Sequence, residues 1–146
     1  MQMKARPWAR AIYNLLAANQ TTLDVDNVWY GDQEKLPTGR SICAEPYLKE
    51  NRIKGAAWVA DQDFEAHIYV YVTKIQSPME NRDECDILAE QIEDLIHANK
   101  TMNDTCISCW VDKIEFGYST KDTGIVRSAR LVIHGKGQSQ LIPEGG

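Results

Sequence analysis

The sequence predicts a single α+β domain, with a mostly antiparallel β-sheet and two main helices packed on one face of that sheet. Two stretches carry this prediction: residues 77–100 place apolar side chains at helical spacing, and residues 64–73 alternate strictly between two kinds of side chain. The order of elements, which is helix, strands, hairpin, helix, hairpin, is typical of the α+β class. With 146 residues the chain has the size of one domain. We expect this domain to span residues 1–137 and to be followed by a flexible C-terminal tail over residues 138–146.

The helix over residues 77–100 is predicted from its start signal and its period. Ser77 is an N-cap residue, Pro78 fits the first helical position, and Glu80 completes a capping box. Apolar residues then recur at steps of three and four, which gathers them on one face. They are Cys85, Leu88, Ala89, Ile92, Leu95 and Ile96. That face must pack on the sheet.

The other face of this helix is acidic. Residues 80–94 contain seven acids and one base, a local net charge of −6. Two interpretations remain open: a solvated outer face, or a surface that repels polyanions and meets a basic partner. Ile87 lies among these acids and is therefore a candidate contact residue.

The first 60 residues suggest one helix followed by short strands. A helix beginning at Ala5 or Pro7 and ending at Ala18 is indicated by an apolar stripe with Pro7 in its first turn. Proline cannot donate to a central ladder, so Pro46 should end the second strand. The expected order is a strand over Val28–Tyr30, a strand over Arg40–Glu45, a polar loop over Tyr47–Lys54 and a strand over Gly55–Ala60.

Two hairpins are predicted in the rest of the chain. Asp61–Asp63 is read as a tight turn before the clearest strand, Phe64–Thr73, which has one aliphatic face and one aromatic, half-polar face. The second hairpin follows the long helix and a loop over Thr101–Thr105. It consists of a strand over Ile107–Tyr118 with a bulge at Asp112-Lys113, a turn over Ser119–Gly124, and a strand from Ile125 that ends at Gly135–Gly137.

Charge and composition exclude several classes of protein. The net charge is −5, with +2 over residues 1–60 and −7 over residues 61–146, and no basic stripe interleaved with aromatic residues is present. Sequence-independent binding to nucleic acid is therefore disfavoured. The sequence contains no apolar run long enough to span a bilayer and no signal-peptide pattern near Met1, so we expect a protein of a reducing cytoplasm with its four cysteines as thiols.

Recognisable catalytic chemistry is missing. The sequence contains no dinucleotide-binding or phosphate-binding glycine loop and no nucleophile elbow, and its three histidines are scattered. Cys106 and Cys109 form the one spacing that resembles a thiol or metal motif, but a zinc site needs a second ligand pair. We therefore expect neither an enzyme nor a bound cofactor. A small thiol or metal protein that uses Cys106 and Cys109 remains the more remote alternative.

Several local patterns resemble the tail terminator (tail-completion) proteins of long-tailed bacteriophages. They are the early helix, Val28-Trp29-Tyr30-Gly31-Asp32, the loop into Arg40-Ser41-Ile42, the acidic helix ending near Asn99, Ile114-Glu115-Phe116-Gly117-Tyr118, and the closing segment Gly124–Ile133. The resemblance covers about Ala5 to Gly137. It implies a small α+β subunit of the virion that forms a ring, usually hexameric, on the last ring of the tail tube. Such a ring stops tube growth at the junction of tail and neck, and the subunit would stay in the host cytoplasm during assembly.

The resemblance implies several partners and no catalytic residues. The partners are further copies of the chain, the tail tube protein, a neck or head-tail connector protein and, in a contractile tail, the sheath protein; DNA would pass through the lumen without specific binding. An alternative within the same broad class is another head-tail connector or minor tail protein.

Candidate contact residues come from the polar segments. For contacts between subunits or with the tube we select Lys49, Glu50, Arg52, Lys54, Asp61 and Asp63. The alternative is that these are solvated loops. Arg127 and Arg130 lie on opposite faces of the last strand by period two, so we expect one of them to point to solvent or to the acidic helix of a neighbour.

Overall fold

The computed structural model describes residues 4–31, 39–54, 59–73, 78–121 and 124–140. These form three helices and five strands in the order α1, α2, β1, β2, β3, α3, β4, β5. The helices are α1 (Ala5–Ala18), α2 (Gln20–Leu23) and α3 (Pro78–His97). The strands are β1 (Asn27–Tyr30), β2 (Arg40–Lys54), β3 (Val59–Val72), β4 (Ser108–Lys121) and β5 (Gly124–Gln140).

The five strands form one sheet in the order β1-β2-β3-β5-β4. The β1–β2 pair is parallel, whereas β2–β3, β3–β5 and β5–β4 are antiparallel. β1 pairs only with residues 41–44 of β2, and β4 begins opposite Lys136 of β5. The strands β2, β3 and β5 therefore continue together beyond both edge strands.

The helices cover a single face of the sheet. α1 packs on β1 and β2, and α3 packs on β3, β5 and β4. Alternate residues of each strand point to the helices, and those of β3 are almost completely buried from Ala60 to Val72. They meet the predicted stripe of α3 and the indole ring of Trp8, which packs edge-to-face on Phe64 with 5.7 Å between ring centroids. The predicted α+β class, antiparallel sheet and common helix face are confirmed.

Most predicted elements are found where the patterns indicated them. α1 ends at Ala18, and the Asn19 side chain donates to the carbonyl of Leu15 at 2.8 Å, which satisfies one of the last helical acceptors. The predicted bulge is confirmed, because the register of β4 against β5 shifts between Val111 and Lys113. The predicted N-cap, Ser77, lies outside the described residues. No helix in the described part of the chain is long and apolar enough to cross a membrane.

The predicted loop over Tyr47–Lys54 is wrong, because β2 continues through Pro46 to Lys54. Two features explain why this proline is tolerated. The pairing of β1 with β2 ends at Ala44, so no described strand pairs with the outer side of β2 at Pro46, and the pairing with β3 shifts register between Pro46 and Leu48. Proline is compatible with edge strands and bulges because it need not donate there.

The predicted turn at Asp61–Asp63 is also wrong. These residues belong to β3, pair with Arg52 and Glu50 of β2, and continue the period of two, with Gln62 buried on the helix side. β3 begins at Val59, and the other four residues of the predicted Gly55–Ala60 strand, residues 55–58, lie outside the described residues.

The end of the last strand differs from the prediction as well. β5 runs to Gln140, and Gln138 pairs with Asp61 of β3, so residues 138–140 belong to the sheet and not to a tail. Residues 141–146 lie outside the described residues. Glycines at positions 135 and 137 suggested a stop, but both pair with β3 inside the ladder.

Candidate interaction surfaces

The continued parts of β2, β3 and β5 carry most of the predicted contact residues. We call residues 49–54, 59–64 and 135–140 the charged extension. On its open face, charged and polar side chains of the three strands lie opposite one another in register: Glu50 opposite Asp63, Arg52 opposite Asp61, Asp63 opposite Lys136 and Asp61 opposite Gln138. The sequence separated these residues into two loops, whereas the structure joins them in one surface.

Ion pairs connect the three strands of the charged extension. Arg52 lies 3.6 Å from Glu50 and 3.6 Å from Asp63, and Lys136 Nζ lies 3.4 Å from the other oxygen of Asp63. Gln138 donates to Asp61 at 3.2 Å. Because these groups are mostly exposed, each pair contributes little to stability. The charged groups therefore remain accessible and can form ion pairs with a partner protein instead.

Two further predicted residues of this segment differ in their setting. Lys49 points to the helix side, where its ammonium group lies 5.7 Å from the centre of the Phe64 ring, within the range of a cation–π contact. Lys54 pairs with Val59 at the end of the hairpin. Next to these residues, Tyr47 and Leu48 expose 63% and 45% of their surface at the bulge. Sequence reasoning missed this pair because it selected only the charged residues of the predicted polar loop as contact residues.

The open face of the sheet contains a network of interacting histidine and carboxylate side chains that was not predicted. His67 Nε2 lies 2.8 Å from Glu65, and the second oxygen of Glu65 lies 3.6 Å from His134 Nε2. Asp112 lies 3.7 Å from the same His134 nitrogen. The ring of Tyr47 stacks on His67 at 4.2 Å and covers it, so that His67 is buried.

Two of the three histidines that look scattered in the sequence, His67 and His134, are therefore joined through Glu65. Glu65 and His67 are two residues apart on one strand and must share a face, so the pairing of these two residues could be predicted from the sequence. The contact of Glu65 with His134 could not be predicted, because His134 reaches Glu65 only through the β3–β5 register.

Arg130 and Glu115 form an ion pair on the open face in which both carboxylate oxygens are contacted. Arg130 Nη2 donates to both carboxylate oxygens of Glu115 at 2.9 and 2.8 Å. Donation from Arg130 lowers the pKa of Glu115. Nearby, burial raises the pKa of Tyr71 to about 12 and, together with the charge of Glu45, raises the pKa of Tyr69. These phenols therefore stay protonated as hydrogen-bond donors at neutral pH.

Arg127 lies on the opposite face, as predicted, but it is not exposed. Its guanidinium group lies 3.4 Å from Asp86 of α3 and 4.6 Å from the ring centre of Tyr118. It is 7% exposed and belongs to the packing of α3 on the sheet. Of the two arginines, Arg130 is thus the one on the open face.

Ile87, a predicted contact residue, is exposed on α3, with 57% of its surface accessible. It is accompanied by Met79 on the same helix and by Phe116 and Tyr118 on β4, which are also large exposed apolar residues. None of the predicted contact residues has been tested for binding, so their role stays a prediction.

The cysteine pair is buried and forms no disulfide. The Cys106 thiol donates towards the Lys100 carbonyl and the Cys109 thiol towards the Asn99 carbonyl, at 3.6 and 3.9 Å. Hydrogen bonding between the two thiols, together with burial, raises the pKa of Cys106, while the same hydrogen bond lowers that of Cys109. Within the described residues, no cluster of three or more histidine, cysteine or acidic residues is arranged to hold a metal ion.

A groove of about 340 Å³ lies between α1 and the segment after α3. Among its described lining residues, Arg10 is the one with a charge, and the others are Pro7, Ala11, Asn14, Leu15, Asn99, Met102, Asn103 and Thr105. This lining offers no pair of groups for general acid and base catalysis.

The comparisons with known proteins find a similarity of fold. No protein-family model matches the sequence, and no curated protein matches it either. Among solved structures, the chain is similar to a chain in the virion of a native gene transfer agent (GTA) particle, with a TM-score of 0.64 and 12% sequence identity. The alignment covers 90% of this chain and 94% of the other. The similarity of fold thus extends over nearly the full length of both chains.

Proposed function

We propose that this chain is a non-enzymatic structural protein of a phage-like virion and acts there as a tail terminator. In this role it forms a ring, hexameric in the simplest case, that caps the tail tube, stops tube growth and docks the tail to the neck. The observation that carries the proposal is the fold shared, over nearly the full length of both chains, with a chain of the GTA virion. The sequence patterns that resemble tail terminators point to the specific role within such a particle.

The surfaces of the molecule are compatible with assembly. One face of the sheet is held rigid by two helices, which leaves the open face, the edges and the charged extension available for contacts. The charged extension reaches beyond both edge strands, and Tyr47 and Leu48, which directly precede it on β2, are exposed beside its charges. A mixture of exposed aromatic, aliphatic and charged groups is what protein interfaces use. We assign this extension to the contact with the last ring of the tube.

Tube capping can be measured directly. The purified chain is added to tail tube protein from the same virus while tubes are growing, and tube lengths and tube ends are recorded by electron microscopy; native mass spectrometry gives the ring number. We expect closed rings, an extra density at one tube end and an arrest of growth. Tyr47→Ser/Leu48→Ser should keep the ring and lose the cap, whereas Ile107→Ser, an exposed apolar residue just before β4, should keep both.

Two results would reject the proposal. A chain that stays monomeric and leaves tube ends bare has no terminator role. A ring that binds the neck but leaves tube growth unchanged would instead identify another head-tail connector. The remaining alternative, a thiol or metal protein, requires metal in the freshly purified chain and its loss in Cys109→Ser.

A further inference from the structure

Among the described residues, the outer side of β4 is covered in its first half only. The N–H of Cys109 donates to the Lys100 carbonyl at 2.7 Å, and the N–H of Val111 donates to His97 Nε2 at 3.1 Å. The chain between α3 and β4 thus occupies this part of the edge. Beyond the bulge, along residues 113–121, the structure describes no strand on the outer side. An uncovered strand of this length is an exposed site for association with another chain.

An acidic flank of α3 lies above this open half of β4. Asp86 is anchored to Arg127 of β5, and His97 is anchored to Val111 of β4, so the flank of α3 that contains both faces this edge. Helical spacing places Asp83, Glu90 and Glu93 on the same flank. Phe116 and Tyr118, the exposed aromatic residues of β4, lie at the same edge. We call α3 residues 83–93 and β4 residues 113–118 the acidic edge.

The opposite edge of the sheet has the opposite charge. It is formed by β1 and α1, and α1 contains Arg6 and Arg10 but no acid, with Lys4 immediately before it. The Arg10 guanidinium lies over the rings of Tyr13 and Tyr30, at 5.4 and 4.7 Å from their centres. The four residues of β1 are partly exposed. We call residues 4–13 and 27–30 the basic edge.

We infer that the basic edge of one copy binds the acidic edge of the next copy. This inference rests on the proposed ring and names the surfaces that build it. The two edges lie at opposite ends of one sheet, so the contact joins different surfaces of identical chains, and repeating it around an axis closes a ring. Each edge presents aromatic side chains between its charges, which supplies apolar area as well as attraction.

The charges also select this arrangement against a symmetric dimer. Two acidic edges brought together would place like charges on the α3 flanks against each other, and two basic edges would do the same with the arginines. Like-charge juxtaposition disfavours wrong pairings. The head-to-tail contact is the one that places the acids of α3 opposite the bases of α1, and this complementarity makes a second copy, and not DNA, the occupant.

Charge reversal with complementation tests the inference. Lys4→Glu/Arg6→Glu gives the basic edge a net negative charge, and Asp83→Lys/Glu90→Lys places two positive charges on the acidic flank of α3. All four residues are exposed, and Arg10 is left in place because it packs on two rings. Each double variant alone should associate on the order of tenfold more weakly than the unchanged chain. An equimolar mixture should recover assembly through alternating copies, as measured by sedimentation and native mass spectrometry.

The control and the contrary outcomes separate this inference from the proposed function. Gln91→Lys adds a positive charge next to Glu90 in sequence but on another flank of α3, and should assemble normally. If both double variants assemble alone like the unchanged chain, the ring stands and the edges are not its contact. If the mixture fails to recover assembly, the pairing of these two edges is refuted. If the unchanged chain never associates, the proposed ring and this inference fall together.

Discussion

The two faces of the sheet differ in how they are held together. On the helix side, Ile68, Val70 and Leu131 are fully buried in a continuous apolar core. On the open side, exposed charged groups are paired, such as Arg52 with Asp63 and Glu115 with Arg130. Burial of apolar surface carries stability, whereas exposed ion pairs contribute little. The covered face therefore supports the fold, and the open face and edges can change or bind with little cost to it.

The largest difference should appear between two isoleucines of α3. Ile92 is fully buried in the core and Ile87 is exposed on the same helix. Ile92→Ala should lower the free energy of unfolding by about 3 to 4 kcal/mol, since it removes apolar contacts and leaves a cavity. Ile87→Ala should change it by less than about 0.5 kcal/mol. Denaturant titration measures both values. Equal losses would contradict the assignment of the two helix faces.

A smaller difference is expected between two arginines of β2. Arg40 donates to the carbonyls of Asp24 and Leu23 at 2.7 and 3.0 Å and lies 3.5 Å from Glu84 of α3, whereas Arg52 is exposed on the charged extension. Arg40→Ala should cost about 2 to 3 kcal/mol because buried acceptors lose their donor. Arg52→Ala should stay within about 0.5 kcal/mol. Thermal unfolding followed by circular dichroism can compare the stabilities of the two variants. An Arg40→Ala protein as stable as the unchanged chain would contradict the stabilising role of the Arg40 contacts.

Two glycines allow a closely surrounded backbone position to be compared with an open one. Gly39 has φ +67°, and a Cβ atom there would collide with the Asp26 carboxylate, which accepts from the Arg40 N–H. Gly39→Ala should cost about 1 to 2 kcal/mol. Gly117 on β4 has open space around it, so Gly117→Ala should be neutral or slightly stabilising. Chemical denaturation of both variants checks the difference, and a neutral Gly39→Ala would show that this turn relaxes.

The smallest effect concerns the pH dependence of the Glu115–Arg130 pair. Arg130→Met should raise the pKa of Glu115 towards the ordinary value of about 4.3, because the donor that lowers it is removed. The folded pKa lies below the unfolded one, so the pair stabilises at pH values above the ordinary pKa. This contribution is lost as the pH falls through the lowered pKa.

An NMR titration of the Glu115 carboxyl group measures this shift. Lys113→Met, which removes the longer 3.4 Å contact, should raise the pKa of Glu115 less and serves as control. An unchanged pKa of Glu115 in Arg130→Met would contradict the pairing.

Local patterns were sufficient for the helices and for one face of the sheet. The stripe of α3 and the alternation after Phe64 predicted which residues are buried, because each follows the period of its element. The patterns failed where the structure of a segment depends on its pairing with neighbouring strands. Proline would end a central strand, but β1 does not pair with β2 at Pro46, so the strand continues. Asp61 and Asp63 have the composition of a turn, but they lie in β3 and face basic residues of the neighbouring strands, Arg52 and Lys136.

The sequence by itself determined the class of fold, the core side of each main helix and the surplus of acid on α3, because these depend on period and composition along one segment. The tertiary structure alone decided which distant residues meet. It joined the residues of two supposed loops in the charged extension, brought His134 to Glu65, and placed the acidic and basic edges at opposite ends of the sheet. The physical reason is register: strand order and pairing place side chains together that are tens of residues apart, and no local pattern encodes that choice.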